Sequence, residues 1–184
     1  MVADKDFDNG RTARAVARRF AVFIPIVVVW LVLDQASKLF FNGSYHAGQV
    51  ISDPILGIFR FHLVYNTGGA WSIFSGATWD LGAFSLVVCI ALTAYLALTP
   101  QRPNTGELIG ISLVVAGGIG NAIDRFTLGF VVDFIEPTFI DFPIFNIADI
   151  GVTCGIILFI VSLLVHERTE AKRAARGSEN GGGE

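Results

Sequence analysis

Six charged side chains and three amides stand out because they fall at the ends of strongly apolar stretches. They are Asp34, Lys38, Asp124, Arg125, Asp133 and Asp149, with Asn66, Asn121 and Asn146. Charges in or beside a membrane-spanning segment are expensive, so their retention points to a site. Each also has a bland reading. Asp34 and Lys38 are four residues apart and can pair on one helix. Arg125 can snorkel to an interface, and Asn146 or Asp149 can cap the following helix. Together they point to one shared polar cluster. Ser37, Ser72 and Ser75 lie nearby without a histidine placed to activate them, since His46 and His62 fall in a loop and His166 beyond the last apolar stretch, so a serine triad is poorly supported. Cys89 and Cys154 sit inside apolar runs, which predicts packed free thiols rather than nucleophiles or a disulfide. There is no His or Cys cluster of the kind zinc takes.

The carboxylates Asp34, Asp124, Asp133 and Asp149 remain. Two carboxylates held close share a proton. One can then deprotonate a water while the other donates to the carbonyl oxygen under attack. That is the chemistry of aspartic peptidases, and it calls for no metal and no cofactor. Transport of ions or protons is the alternative use of membrane carboxylates. The second span and the inner halves of the others lack ionisable groups, however, so the polarity is one-sided, which favours an enzyme. A passive assembly or lipid-binding module accounts for the aromatics and glycines but not for the gathered charges.

The elements that must position these residues follow from composition. The chain has 184 residues, 53% of them hydrophobic and only 16% charged. Soluble domains average about 25% charged residues, and each bilayer crossing takes roughly 20 apolar ones. Four crossings leave no room for a separate soluble catalytic domain. The expected fold is mainly α: four transmembrane helices with a small β-sheet element and a loop on the outer membrane face. The spans are residues 20–41, 81–98, 108–123 and 147–165. The arginines before the first span also suit a secretory signal, but a cut after Ala36 would put Asp34 at the −3 position, so the segment reads as a mature span.

Ten of the thirteen basic residues fall before the first span, after the last, or at Arg102 between the second and third. The positive-inside rule makes that side the cytoplasm. Residues 42–77 and 126–146 are then the outer loops, 19–166 the membrane domain, and 1–18 and 167–184 cytoplasmic tails of disordered composition. The net charge of −3 argues against nucleic acid. Residues 59–66 alternate apolar and polar, with Val64 the exception, which predicts a half-buried strand. Residues 49–51 are its expected hairpin partner. Gly106 with Gly110, Gly151 with Gly155, and Gly117, Gly118 and Gly120 have the spacing for close helix packing. Trp71 and Trp79 read as interfacial anchors.

The ordered motifs carry a resemblance. Asp34-Gln35-Ala36-Ser37-Lys38, Asn66-Thr67-Gly68-Gly69-Ala70-Trp71-Ser72, the run Gly117 to Arg125, Val131-Val132-Asp133-Phe134 and Phe145-Asn146-Ile147-Ala148-Asp149 span residues 34 to 149. In this order on a four-span chain they resemble the lipoprotein signal peptidases, bacterial integral-membrane aspartic peptidases. The resemblance implies that Asp133 and Asp149 are the catalytic pair and gives Asp124 a supporting role. It implies that Asp34, Lys38, Asn66, Gly118, Asn121, Asp124, Arg125 and Asn146 shape the site or hold substrate. The implied partners are membrane lipid and a prolipoprotein whose diacylglyceryl cysteine lies just after the cut. The expected setting is the bacterial inner membrane, with the protein a monomer and its site near the outer face. One departure is Gly69 and Trp71, where the family more often has alanine and phenylalanine.

Overall fold

The computed structural model describes residues 2–69, 73–74, 76–99 and 103–180, with side chains described from 13 to 169. Trp71, Ser72, Ser75 and Arg102 lie outside these residues. The elements in chain order are α1 (Val2–Ser44), β1 (Phe59–Asn66), α2 (Thr78–Leu98), α3 (Thr105–Thr127), β2 (Val131–Pro137) and α4 (Ile147–Asn180). All four helices contain a stretch long and apolar enough to cross a bilayer: Ala13–Ser44, Thr78–Leu98, Thr105–Thr127 and Ile147–Thr169. This is the expected four-span membrane protein. The backbone stays helical out to Val2 and Asn180, where composition predicts irregular tails. A helix already nucleated by its membrane-spanning part propagates into polar sequence at little cost, because each added residue closes one more backbone hydrogen bond.

The third helix is the hub. Two thirds of its span (67%) is buried, against 11–17% for the others, and it packs on α1, α2 and α4. Lipid supplies no hydrophobic drive between helices, so close approach through small residues must do the work. A Cβ on Gly110 would stand 2.7 Å from the Gly155 carbonyl oxygen, and one on Gly155 would stand 2.6 Å from that of Gly110. Each glycine is thus the space the other backbone needs. Around this centre, α1, α2 and α4 present Val32, Val87, Ile157 and similar residues outward, more than half exposed, as a lipid-facing surface.

At one end of the bundle, β1 and β2 form a two-stranded antiparallel sheet. Phe61 pairs with Ile135, Val64 with Asp133 and Asn66 with Val131, with a register shift between Phe61 and Val64. That irregularity explains why Val64 breaks the alternation: an extra residue in one strand inverts the facing of every residue after it. The predicted strand is therefore present, but its main partner is β2. Residues 49–51 meet the other edge only locally, through a Val50–His62 bridge and the hydrogen bonds Ile51 N to Phe61 O (2.8 Å) and Leu63 N to Gln49 O (3.0 Å). Phe41, Leu63, Val132 and Phe134 are buried between the sheet and the end of α1, with the Phe41 and Phe134 rings stacked at 4.2 Å. This small core fixes β2, and with it Asp133, over the helix ends.

Candidate active site

Position begins with the start of α4. The Asn146 side chain accepts from the Asp149 amide (3.0 Å), and the Asp149 carboxylate accepts from the Asn146 amide (3.1 Å). This reciprocal capping box satisfies amides that a helix N-terminus otherwise leaves unpaired. A third is taken by α1: Asp34 Oδ1 accepts from the Ala148 amide at 2.8 Å. The sequence folds this way because it offers an amide side chain, then an acid three residues later, at the edge of an apolar run.

The same Asn146 reaches the other carboxylate. Its Nδ2 donates to Asp133 Oδ1 at 2.7 Å and to Asn121 Oδ1 at 3.1 Å. Asn66 Nδ2 donates to Asp133 Oδ2 at 3.0 Å, and Asn121 Nδ2 donates to Asp149 Oδ1 at 2.8 Å. One residue therefore bridges two acids from different elements, and each acid has a second amide fixing its plane. Burial, then the charge of Asp149, pushes the Asp133 carboxyl up to about 7, opposed by the hydrogen bonds from Asn66 and Asn146. At neutral pH such a group is poised between acid and base.

Behind the pair lies a buried ionic cluster. Lys38 Nζ is 3.0 Å from Asp34, 3.1 Å from Asp124 and 2.9 Å from Asn121 Oδ1, with all three ionic residues at most 3% exposed. Asp124 Oδ2 also accepts from the Val132 amide (3.1 Å), which ties α3 to β2. Arg125 donates to the Gly68 carbonyl (3.2 Å), and the Gly68 amide donates to Asn66 Oδ1 (2.9 Å). The nine polar residues singled out in the sequence thus form one connected network. Asp133, Asp149, Asn66, Asn121 and Arg125 line a cavity of about 390 Å³, whose remaining wall is largely apolar, including Phe142, Ile144, Ile150 and Val152.

Asp34, Lys38 and Asp124 stand behind this cavity rather than on it. Gly118 is not at the cavity either. A Cβ there would meet Cys89 Sγ at 2.6 Å, so its place is the α2–α3 contact. Cys89 is packed as expected, but Cys154 is exposed and lines the cavity. Helical spacing explains the difference, since Cys154 follows Ile150 by four residues and so shares the face of α4 on which Ile150 lines the cavity. Gln35 also belongs to the cluster around Lys38, although nothing in the sequence marks it as a site residue beyond its place as an uncharged polar residue beside Asp34 within an apolar span. Its amide donates to Asp34 Oδ2 (3.1 Å), Gly120 O (3.2 Å) and Asp124 Oδ1 (3.2 Å). Trp30 goes unmarked in the same way. Its indole N–H donates to the Ile147 carbonyl (3.0 Å), locking α1 to the start of α4.

Four membrane-spanning helices with two carboxylates bridged at one end suit an integral-membrane peptidase. Comparison with known proteins makes this specific: residues 26–165 match the family model described as signal peptidase (SPase) II, and the chain belongs to that family. It is 39% identical over 145 residues to a lipoprotein signal peptidase of Microcystis aeruginosa, covering 77% of this chain and 91% of that one. A lipoprotein signal peptidase of Latilactobacillus sakei is 36% identical over 149 residues, covering 80% and 96%. A bacterial membrane enzyme solved by the in meso method superposes with a TM-score of 0.73 at 36% identity, covering 78% of this chain and 88% of that one.

Proposed function

We infer that this chain removes signal peptides from diacylglyceryl-modified prolipoproteins as an aspartic endopeptidase, with Asp133 and Asp149 as its catalytic pair. The observation carrying the assignment is the Asn146 clamp, which donates to both carboxylates at the wall of one cavity. In this reading the pair holds one proton between its members. The ionised carboxylate takes a proton from a water, which attacks the scissile carbonyl. The protonated one hydrogen-bonds the carbonyl oxygen as it becomes the tetrahedral hydroxyl. Collapse of that intermediate protonates the leaving amine of the lipidated cysteine and restores the shared proton. Asn66, Asn121 and Asn146 hold the carboxylate planes, and Arg125 steadies the Gly68 carbonyl at the edge of the cavity.

The distribution of Lys and Arg supports an orientation in the bacterial inner membrane with both termini, 1–18 and 167–184, in the cytoplasm and the sheet end outside. Residues 19–166 then form the membrane peptidase domain, working as a monomer among lipid. A signal helix crossing the bilayer brings its cleavage site to the outer level, where the cavity would meet it, and the acyl chains can stay beside the apolar wall. The test is cleavage of a diacylglyceryl-cysteine peptide by purified Asp133→Asn and Asp149→Asn enzymes. Each is expected to fold and to lose turnover by three orders of magnitude or more, on the scale of about 10³ to 10⁴ for losing an acid–base group with its partner. Turnover near the wild-type rate in either variant refutes the assignment.

A further inference from the structure

Asp133 has open space on two flanks. Besides the cavity already described, a second hollow of about 380 Å³ lies between the end of β1 (Val64, Tyr65, Asn66) and the 141–144 segment. The two meet at Asn66, Gly69, Asp133, Phe142, Pro143 and Ile144, so the carboxylate stands at their junction. Their far walls differ in kind. The first runs along α4 through Ile150, Val152 and Cys154 towards the lipid-facing surface. The second is built without any residue of the four helices, and its rim holds Tyr65, Thr67 and Asp141. Among the described residues Asp141 has no hydrogen bond or ion pair. The neighbouring Arg60 and Glu136 are already matched to each other, at 2.6 and 2.9 Å.

A prolipoprotein changes character at the lipidated cysteine, just after its scissile bond. The signal helix before the bond and the acyl chains on the cysteine belong in lipid, while the polypeptide beyond that cysteine leaves the membrane. The two hollows show the same division on either flank of one carboxylate. We propose that the second hollow receives the first residues of the mature polypeptide after the lipidated cysteine. The Asp141 carboxylate there favours basic over acidic side chains in the incoming chain. This rests on the peptidase reading above and extends it to a specificity determinant outside the membrane helices.

The experiment uses full-length enzyme in detergent micelles and three diacylglyceryl-cysteine peptides carrying Lys, Gln or Glu at the second position after the cysteine. Each enzyme's kcat/KM on the Lys and Glu peptides is divided by its own value on the Gln peptide. For wild type, a Lys-to-Glu ratio of about fivefold or more is expected, the size of a partly screened charge contact. Asp141→Asn should bring the ratio to about one, and Asp141→Lys should invert it. In wild type the ratio should also shrink in high salt, which needs no variant to fold. A wild-type ratio near one, or a ratio unchanged by both substitutions or by salt, overturns the proposal. Failure of the peptidase reading looks different, because Asp133→Asn would then cleave the Gln peptide.

Discussion

Replacing Asp133 by asparagine should make the enzyme inactive and, above neutral pH, more resistant to unfolding. The folded carboxyl is held up to about 7, mainly by burial, from an ordinary value of 3.8. At about 1.36 kcal/mol for each pH unit of that rise, the difference amounts to about 4 kcal/mol at most. The folded state binds this proton more tightly than the unfolded chain, so the contribution is fully present below about pH 4. It declines as pH rises and is gone above about 7. The asparagine side chain would not titrate and would lack this slope. Against it stands a hydrogen-bond mismatch: Asn66 and Asn146 both donate to this side chain, and an amide offers only one oxygen. Leaving one donor unmatched costs about 1–3 kcal/mol. The variant should therefore be the less stable protein at about pH 4 and the more stable by about 1–3 kcal/mol at about pH 8. At about 2–4 °C per kcal/mol for a chain of this size, Tm should differ by roughly 2–12 °C, with a change of sign between. Thermal unfolding in detergent micelles followed by tryptophan fluorescence at both pH values measures it. A Tm difference of the same sign and size at the two pH values would refute the argument that burial strains this carboxylate.

Three further outcomes follow from the packing. Lys38→Met leaves Asp34 and Asp124 facing each other in a buried setting without their shared cation, and should cost about 3–5 kcal/mol, read as lost folded yield and lowered Tm. Gly110→Ala puts a methyl group against the Gly155 backbone and must part α3 from α4; a loss of about 1–3 kcal/mol is expected, visible as a drop in Tm of several degrees. Cys154 should react with a membrane-permeant maleimide well before Cys89, because only Cys154 is exposed and on the cavity. Equal labelling, measured by mass spectrometry of the modified peptides, contradicts that placement.

The four spans are legible in the sequence because hydropathy is a local property, and β1 because a half-buried strand writes its period into the chain. β2 is not. Val131 to Phe134 are buried on both faces, so the segment has no alternation, and its partner lies some 70 residues upstream across two helices. Val64 looks like noise in the pattern of β1 until the register shift gives it a cause. At the site, the residue types tell where the polar cluster gathers but not how it divides. Four aspartates have the same chemistry on paper. Only the fold puts Lys38 between Asp34 and Asp124 while Asp133 and Asp149 keep amide partners and a cavity. The resemblance singles out the latter pair before any geometry does. Gly118 is attached to the site by its neighbours in sequence, whereas helical rotation turns it to α2. Gln35 escapes notice because an uncharged amide draws little attention beside two charges.

The capping of α4 has a consequence for biogenesis. Asn146 cannot orient Asp133 until β2 lies over the helix ends, and the first turn of α4 is not complete until Asp34 of α1 supplies its carboxylate to Ala148. The site is thus assembled from the first, third and last helices and from both strands. On the proposed assignment of Asp133 and Asp149, a chain still emerging into the membrane has no working centre: without α4 it lacks Asp149, and with α4 undocked Asn146 does not bridge the two carboxylates. Completion of the fold would then itself be the activation step.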